Sequence, residues 1–376
     1  MNPLETIIRD EIRTRGPMRF DRYMELALYH PEHGYYAKPR KIGREGDFFT
    51  SVSVGPLFGR LLARQARQMA DLLDEPVFWI VEQGAHDGRL AHDILEEARS
   101  MPAFFARLRY LIIEPSHAAS DVQQKTLAEL ADKVEWCGAL DERREERPAG
   151  LFLSNELVDA FPVRIAQRGS KGWREREVVV DDDGSFVWCA TAIVDDELRD
   201  AIRELPLPDS PQPESYRTEI NLAARRWMRD VAGFMRRGYI VTIDYGYPAS
   251  VYYAPFRSEG TLTCYQEHRR GWDALAESGE HDITAHVDFT ALARVGEKAG
   301  WQALALVDQQ RFLTGIAHDE MAGTVVYSPG LTAQLQAWRT LTDPGFLGSQ
   351  FQVLVQAKDA PGGLDGLRFA RTGGLE

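Results

Sequence analysis

The chain has 376 residues, of which 44% are hydrophobic and 27% are charged, a composition typical of a globular protein. Its formal net charge of −13, from 57 acidic and 44 basic residues, argues against a general nucleic-acid-binding role, because such proteins need a positive surface. The three cysteines are scattered, so the sequence predicts neither a disulfide framework nor a metal site. It contains no apolar run of the ~20 residues that a membrane helix needs and no secretory segment at the amino terminus. We therefore expect a cytoplasmic protein without a membrane partner.

The first part of the chain is predicted to be helical. Apolar residues at helical spacing predict helices over residues 3–13, 19–28 and 57–73, and Pro76 ends the third. Residues 38–53 are rich in glycine and charge, which is typical of a loop. Residues 1–75 are therefore assigned to a helical amino-terminal segment.

Short apolar runs then alternate with helical patterns. The sequence predicts buried strands over 77–81, 110–113, 150–153, 239–243 and 351–356, and helices over 90–98, 118–130 and 216–236. This alternation is typical of βαβ units, in which helices cover both faces of a parallel sheet. The predicted fold class is α/β, with a doubly wound, Rossmann-like sheet.

A different pattern interrupts this alternation. Residues 173–180 and 185–189 flank the turn DDDG and predict an antiparallel hairpin, and the proline-rich residues 205–213 are typical of a linker. The predicted organisation is the helical segment 1–75, a first half of the core over 76–163, an inserted α+β subdomain over 164–237, and a second half of the core with carboxy-terminal strands over 238–376.

The strongest chemical pattern is a strand, an acid and a glycine turn, followed by a second strand that ends in an acid. Glu82, Gly84 and Gly88 follow the strand 77–81, and Glu114 follows the strand 110–113. In doubly wound folds, ligands bind outside the carboxyl ends of the strands. There the glycines would allow close backbone approach, and Glu114 could accept hydrogen bonds from two ribose hydroxyls. The alternative is that both acids only cap strands and helices.

Charge favours one nucleoside cofactor over another at this turn. Nicotinamide-dependent enzymes and class I methyltransferases share the arrangement, but the dinucleotide fingerprint G-x-G-x-x-G is absent. A pyrophosphate would also lie poorly beside Glu82 and Asp87. A sulfonium cofactor carries no phosphate and has a positive charge that carboxylates attract. The pattern therefore favours S-adenosylmethionine over NAD.

Several sequence blocks together resemble one known family. They are GPMRFDRYMELALYHPEHGYY (Gly16–Tyr36), GDFFTS (Gly46–Ser51), FGRLLA (Phe58–Ala63), EQGAHDG (Glu82–Gly88), IIEPS (Ile112–Ser116), SNELVDAFPV (Ser154–Val163), IDYGYP (Ile243–Pro248) and DITAHVDF (Asp282–Phe289). They resemble the MidA-type methyltransferases, whose mitochondrial members methylate an arginine of a complex I subunit. The resemblance implies a class I methyltransferase fold and S-adenosylmethionine as cofactor. One position departs from the family, because His86 stands where its Gly-x-Gly-x-Gly loop has the middle glycine.

The resemblance also implies a set of cofactor-binding residues, some of them in a loop that folds over the cofactor. The predicted set is Gly46, Asp47, Phe48, Thr50, Glu82, Gly84, Gly88, Glu114, Pro115 and Asn155. The alternative for residues 46–50 is a surface turn that buries a pair of phenylalanines.

Acidic residues after the strand 150–153 are the candidate acceptor site. Carboxylates can hold a guanidinium through paired hydrogen bonds, so Glu156 is predicted to orient the substrate, with Asp159 in support. The alternative is a helix cap with acids in the first turn. His286 is predicted to accept a proton, and its alternative is a structural role.

The predicted function is an S-adenosylmethionine-dependent methyltransferase that acts on an arginine of a protein substrate, as the resemblance implies. A respiratory complex subunit is a candidate substrate, and a homodimer is a candidate assembly. Three alternatives stay open at this point: a methyltransferase for small molecules, a non-catalytic assembly factor or scaffold that His86 would explain, and a nicotinamide oxidoreductase.

Overall fold

The computed structural model describes residues 2–37, 50–170, 172–207, 216–266, 269–270, 273–321, 331–371 and 374–375. Most of the loop predicted over 38–53 and of the linker predicted over 205–213 therefore lies outside the described residues. The same holds for Gly46, Asp47 and Phe48. No helix in the described ranges is both long and apolar enough to cross a membrane.

The secondary structure of these residues alternates helices and strands along most of the chain. The strands are β1 (Met18–Arg19), β2 (Phe78–Gln83), β3 (Leu108–Ile113), β4 (Val134–Cys137), β5 (Ala149–Asn155), β6 (Arg164–Gly169), β7 (Gly172–Val180), β8 (Phe186–Ala192), β9 (Arg217–Ile220), β10 (Arg237–Tyr247), β11 (Thr263–Gln266), β12 (Arg269–Arg270), β13 (Asp282–Thr284), β14 (Val287–Asp288), β15 (Gln302–Asp308) and β16 (Phe351–Lys358). The helices are α1 (Pro3–Arg15), α2 (Phe20–Tyr29), α3 (Leu57–Leu73), α4 (Arg89–Arg99), α5 (Pro102–Arg107), α6 (His117–Thr126), α7 (Asp196–Arg203), α8 (Leu222–Phe234), α9 (Ala249–Tyr252), α10 (Phe289–Lys298), α11 (Gln309–Met321), α12 (Leu331–Thr342) and α13 (Leu347–Gln350).

The chain forms two compact units. Unit 1 comprises residues 1–49, 158–226 and 247–288, and unit 2 comprises residues 50–157, 227–246 and 289–376. The predicted helical segment 1–75 is thereby divided, with α1 and α2 in unit 1 and α3 in unit 2. Helix α3 belongs to unit 2 because it packs closely on α4: a Cβ added at Gly59 would lie 2.5 Å from the Cβ of Asp93.

The main sheet of unit 2 has the strand order β15-β16-β10-β5-β2-β3-β4. Strands β4, β3, β2, β5 and β10 are parallel, and β16 runs antiparallel between β10 and β15. After β2 the chain adds β3 and β4 on one side and then returns to add β5 and β10 on the other. The prediction of a doubly wound α/β sheet is confirmed, and its topological switch point lies between β2 and β5.

Glycines allow the central strands of this sheet to approach at their amino-terminal ends. A Cβ added at Gly238 of β10 would lie 2.0 Å from the carbonyl oxygen of Gly150 in β5. A Cβ at Gly150 would in turn lie 2.0 Å from the carbonyl oxygen of Trp79 in β2. Every residue of β5 is buried, as expected for a parallel strand that is covered on both faces.

Unit 1 contains an antiparallel sheet of order β1-β7-β6-β9, with β8 paired to β7. The predicted hairpin is confirmed as β7 and β8, with Val180 opposite Phe186. The predicted helix over 216–236 is wrong at its start, because residues 217–220 form β9 and pair with β6. Helix α8 begins only after Asn221, whose side-chain oxygen accepts a hydrogen bond from the backbone N–H of Ala224 at 2.8 Å.

Candidate functional site

The glycine turn after β2 lies at the switch point of unit 2. Gly84, His86 and Gly88 have φ angles of 87°, 48° and 82°, so all three adopt the left-handed conformation. A histidine in this conformation is destabilised by roughly 1–2 kcal/mol relative to glycine. Its side chain is 55% exposed and lies 3.6 Å from the Asp87 carboxylate. His86 therefore adopts a backbone conformation that favours glycine, and its imidazole is more than half exposed.

Glu114 follows β3 and is fixed by hydrogen bonds to both of its oxygens. Oε1 accepts from the backbone N–H of Ser116 at 2.9 Å, and Oε2 accepts from Nε2 of Gln123 at 2.9 Å. The same Gln123 nitrogen donates to the carbonyl oxygen of His86 at 3.0 Å. The structure thus connects the predicted ribose acid to the predicted glycine turn.

Gln123 is a residue of this site that the sequence analysis missed. It is 0% exposed on α6, and within the helix predicted over 118–130 it shares the i, i+4, i+7 spacing of a buried face with Leu127 and Leu130. A glutamine on such a face is the signal that could have identified it, because a buried amide needs polar partners.

Glu82 is turned into the core of unit 2. Its side chain is 1% exposed and accepts a hydrogen bond from the Tyr110 hydroxyl at 2.6 Å. Burial raises the pKa of Glu82 to about 7, although the Tyr110 hydrogen bond opposes this shift. The carboxyl group thus joins β2 to β3 two residues before Gly84, and its pKa links the stability of this region to pH.

We expect Glu82→Gln to change the pH dependence of folding. Because the pKa of Glu82 is raised in the folded state, its contribution to stability is present below about pH 4.5 and is lost as the pH rises toward 7. The variant should match the native protein near pH 4.5 and exceed its free energy of unfolding by up to ~3 kcal/mol at pH 8. Urea unfolding at both pH values measures this, with the exposed Glu129→Gln as control. Equal pH profiles of the native protein and Glu82→Gln would contradict the prediction.

Asn155 and Glu156 lie where β5 ends, beside β10. Nδ2 of Asn155 donates to Oε1 of Glu156 at 3.1 Å, and the backbone N–H of Glu156 donates to the carbonyl oxygen of Ile243 at 2.9 Å. Asn155 is 7% exposed, and its buried Oδ1 accepts no hydrogen bond from the described residues. Residues 156–163 form bends and turns instead of a helix, so the helix-cap interpretation of these acids is wrong.

Glu156 and Asp244 form a pair of neighbouring carboxyl groups in unit 2. Asp244 is fully buried and accepts hydrogen bonds from the backbone N–H groups of Leu157 at 3.2 Å and Tyr245 at 2.8 Å. Burial, and then the negative charge of Asp244, raise the pKa of Glu156 to about 8. Glu156 itself has a φ of 51°, an unfavourable conformation for a residue with a side chain. Strain and like charge at one point are typical of a functional site.

Ser51, from the GDFFTS block, also contacts Glu156. Its backbone N–H donates to the Glu156 carboxyl and partly offsets the rise in that pKa. The Ser51 hydroxyl donates to Oε1 of Gln309 at 3.0 Å, and Nε2 of Gln309 donates to the carbonyl oxygen of Leu341 at 3.0 Å. The end of the predicted cofactor-covering loop is therefore anchored to α11 and α12 of the same unit.

The structure also describes four other residues of the predicted site, which are Thr50, Pro115, Asp159 and His286. Thr50 Oγ1 accepts from the backbone N–H of Ser53 at 3.1 Å, and Pro115 is exposed. Asp159 and His286 belong to unit 1. The carbonyl oxygen of Asp159 accepts from the N–H of Ala285 at 2.9 Å.

His286 is positioned by its backbone and by an aromatic neighbour. Its N–H donates to Oγ1 of Thr261 at 3.1 Å, and its ring lies 5.1 Å from that of Tyr247. In the part of the chain that the structure describes, no group of three or more His, Cys, Asp or Glu residues is arranged to hold a metal ion.

Comparison with known proteins identifies the family. The model of a family described as S-adenosyl-L-methionine-dependent methyltransferases matches residues 61–307. The chain belongs to this family. The fold, the enzyme class and the cofactor predicted from sequence are confirmed, and the nicotinamide alternative is wrong. The carboxyl ends of β2, β3 and β5 are thus the candidate cofactor-binding edge of a methyltransferase.

Two solved structures and two named relatives resemble the methyltransferase over most of its length. A Burkholderia thailandensis protein bound to S-adenosyl-homocysteine is 31% identical, has a TM-score of 0.86, and the match covers 98% of this chain and 95% of that one. A native structure from the same organism is 32% identical, with the same TM-score and coverage. Protein arginine methyltransferase NDUFAF7 of Bos taurus is 27% identical, and the match covers 92% of this chain and 81% of the relative. Its homolog in Drosophila melanogaster is also 27% identical, and the match covers 92% and 83%.

These relatives confirm the resemblance to the MidA-type family and correct one prediction. The Bos taurus and Drosophila melanogaster relatives are both named as mitochondrial proteins. The prediction of a cytoplasmic protein is therefore wrong. It depended on the absence of an obvious secretory or membrane segment, and such an absence does not identify a compartment.

Proposed function

We propose that the methyltransferase modifies an arginine of a protein substrate and that Glu156 orients the acceptor. The carboxyl pair of Glu156 and Asp244, next to Asn155 at the switch point, is the observation that carries this proposal. Relatives named protein arginine methyltransferase support the same acceptor. A respiratory complex subunit as substrate and a homodimer as assembly stay predictions.

The residues around the switch point fit S-adenosylmethionine, which supplies an activated methyl group on a sulfonium. The buried Oδ1 of Asn155, which accepts no hydrogen bond from the described residues, suits the ammonium group of the methionine part. Glu114 would bind the ribose, and Gly84 and Gly88 would allow close backbone approach. We assign Glu82, two residues before Gly84, to the support of this turn through its hydrogen bond with Tyr110.

The cofactor contacts predicted for Pro115, Thr50 and residues 46–48 complete this assignment. Pro115 and Thr50 are proposed to flank the cofactor. The cover formed by residues 46–48 stays a prediction, because those residues lie outside the described ranges.

A guanidinium group is a suitable partner for the carboxyl pair. It is positively charged below about pH 12 and can donate two parallel hydrogen bonds to a carboxylate. Glu156, whose pKa is raised by burial and by Asp244, would lose its proton when a cation binds, because the cation offsets the like charges. Paired hydrogen bonds would then fix the orientation of the guanidinium and direct one nitrogen toward the methyl group.

The roles of Asp159 and His286 stay predictions from the sequence. Asp159 is predicted to support the acceptor through its negative charge, and His286 is predicted to accept the proton that the nitrogen loses once it is methylated. Neither role involves the cofactor, so substitution at either position should leave cofactor affinity unchanged.

The test uses purified protein and S-adenosylmethionine with an isotopically labelled methyl group. We expect label on arginine in an arginine-containing protein or peptide, located by mass spectrometry, and none on the matched lysine peptide. Label that appears instead in a metabolite pool would establish a small-molecule acceptor. A failure to bind the cofactor at millimolar concentration in calorimetry would support a scaffold.

A further inference from the structure

We infer that Gln123 is a positioning residue for cofactor recognition: its amide holds the ribose acid Glu114 and the glycine turn in one arrangement. The inference rests on the proposed role of Glu114 and adds a residue that has no direct contact with the ribose in that proposal. It concerns selectivity for the ribose hydroxyls, which is a property distinct from stability.

Both the nitrogen and the oxygen of the Gln123 side-chain amide form hydrogen bonds. Nε2 donates to Oε2 of Glu114 at 2.9 Å and to the carbonyl oxygen of His86 at 3.0 Å. Oε1 accepts from the indole Nε1 of Trp136 at 3.1 Å. An indole N–H can only donate, so it requires the oxygen of Gln123 on its side and fixes the nitrogen on the other. A flipped amide would place its oxygen against a carboxylate and a carbonyl, which is repulsive.

This arrangement presets the carboxylate of Glu114. With Oε2 on Gln123 and Oε1 on the N–H of Ser116, the plane of the carboxylate is fixed before a ligand arrives. Each oxygen can still accept a second hydrogen bond, which matches the two neighbouring hydroxyls of a ribose. A preset acceptor pair binds more tightly than a mobile one because less side-chain freedom is lost on binding.

The glycine turn is held against the same helix. A Cβ added at Gly88, where φ is 82°, would lie 3.3 Å from the Cα of Gln123, so the turn and α6 are in close contact there. The hydrogen bond to His86 fixes the turn at its third residue. One buried side chain therefore sets the position of the turn relative to Glu114.

The experiment compares the dissociation constants of S-adenosylhomocysteine and its 2′,3′-dideoxyribose analogue by calorimetry. The native protein is expected to prefer the ribose form by about 10- to 100-fold. Gln123→Met, similar in shape but without the amide, should reduce that preference roughly fivefold. The matched control is Gln124→Met, the exposed neighbour on α6, which should leave it unchanged. The ratio is measured on folded protein, so a loss of stability alone does not alter it.

A second variant keeps the test decisive if Gln123→Met does not fold. Trp136→Phe removes the indole N–H together with the pyrrole part of the ring system, so Oε1 of Gln123 loses its donor, and it should lower the same preference by a smaller factor. An unchanged preference in a folded Gln123→Met or Trp136→Phe protein, alongside a reduced preference in Glu114→Ala, would overturn the role of Gln123 alone. If Glu114→Ala itself keeps the full preference, the proposed ribose contact fails, and the role of Gln123 fails with it.

Discussion

Glu156→Gln is expected to lower the turnover of an arginine substrate by about 10- to 100-fold, while the affinity for S-adenosylhomocysteine stays within about twofold of the native value. The amide keeps the size of the side chain but loses the negative charge, and a hydrogen bond to a charged group contributes about 1.5–3 kcal/mol. Initial rates with labelled cofactor and calorimetry measure the two quantities. Glu129→Gln, at an exposed position, is the matched control.

The pH dependence gives this prediction a second readout. Burial and the charge of Asp244 raise the pKa of Glu156 to about 8, and only the ionised carboxyl can hold a guanidinium by charge. At low substrate concentration the native rate should therefore rise as the pH increases from 6 toward 8, because kcat/KM reports the free enzyme. Glu156→Gln should lack this limb. A rate that is insensitive to the substitution, or an unchanged pH limb, would remove Glu156 from the acceptor site.

Local sequence signals predicted the parts of the fold that depend on strong hydrophobic periodicity. Strands β2, β3, β5, β10 and β16 each contain a short run of apolar residues, as expected for strands whose two faces are covered. The strand–acid–glycine pattern placed Glu114 and Gly84 at one edge of the sheet, and the structure joins Glu114 to the turn through Gln123. Topology alone brings such residues together, because parallel strands end at a common edge.

Features that depend on tertiary contacts were not predictable in this way. Residues 217–220 carry helical propensity, but they pair with β6. Local sequence could not indicate this pairing, because β6 lies some fifty residues earlier in the chain. Glu82 follows the predicted strand 77–81 just as Glu114 follows the strand 110–113, yet it lies inside β2 and turns into the core toward Tyr110. The sequence did not predict the conformation of His86 either. A side chain at this position could block the turn or point outward, and the φ of 48° distinguishes the two. For residues 217–220 and for Glu82, a distant partner decides between two locally reasonable outcomes.

Glu114→Ala is expected to weaken the binding of S-adenosylhomocysteine by about 1–3 kcal/mol, because two hydrogen bonds to the ribose would be lost. The substitution also leaves the Nε2 group of Gln123 without one acceptor, so the free energy of unfolding should fall as well. Calorimetry and urea unfolding separate the two effects. Asp121→Ala removes an exposed carboxylate from α6 and serves as control.

The size of the loss distinguishes a ribose contact from a merely structural carboxylate. Glu114→Gln keeps the side-chain volume and one oxygen, so it should retain part of the affinity that Glu114→Ala loses. A carboxylate that only supports the turn would lower stability in both variants and leave the affinity of the folded protein unchanged. Equal affinity for the cofactor product in the native protein and in Glu114→Ala would therefore place the ribose elsewhere. The hydrogen bonds that fix Glu114 near the switch point between β2 and β5 would then need another explanation.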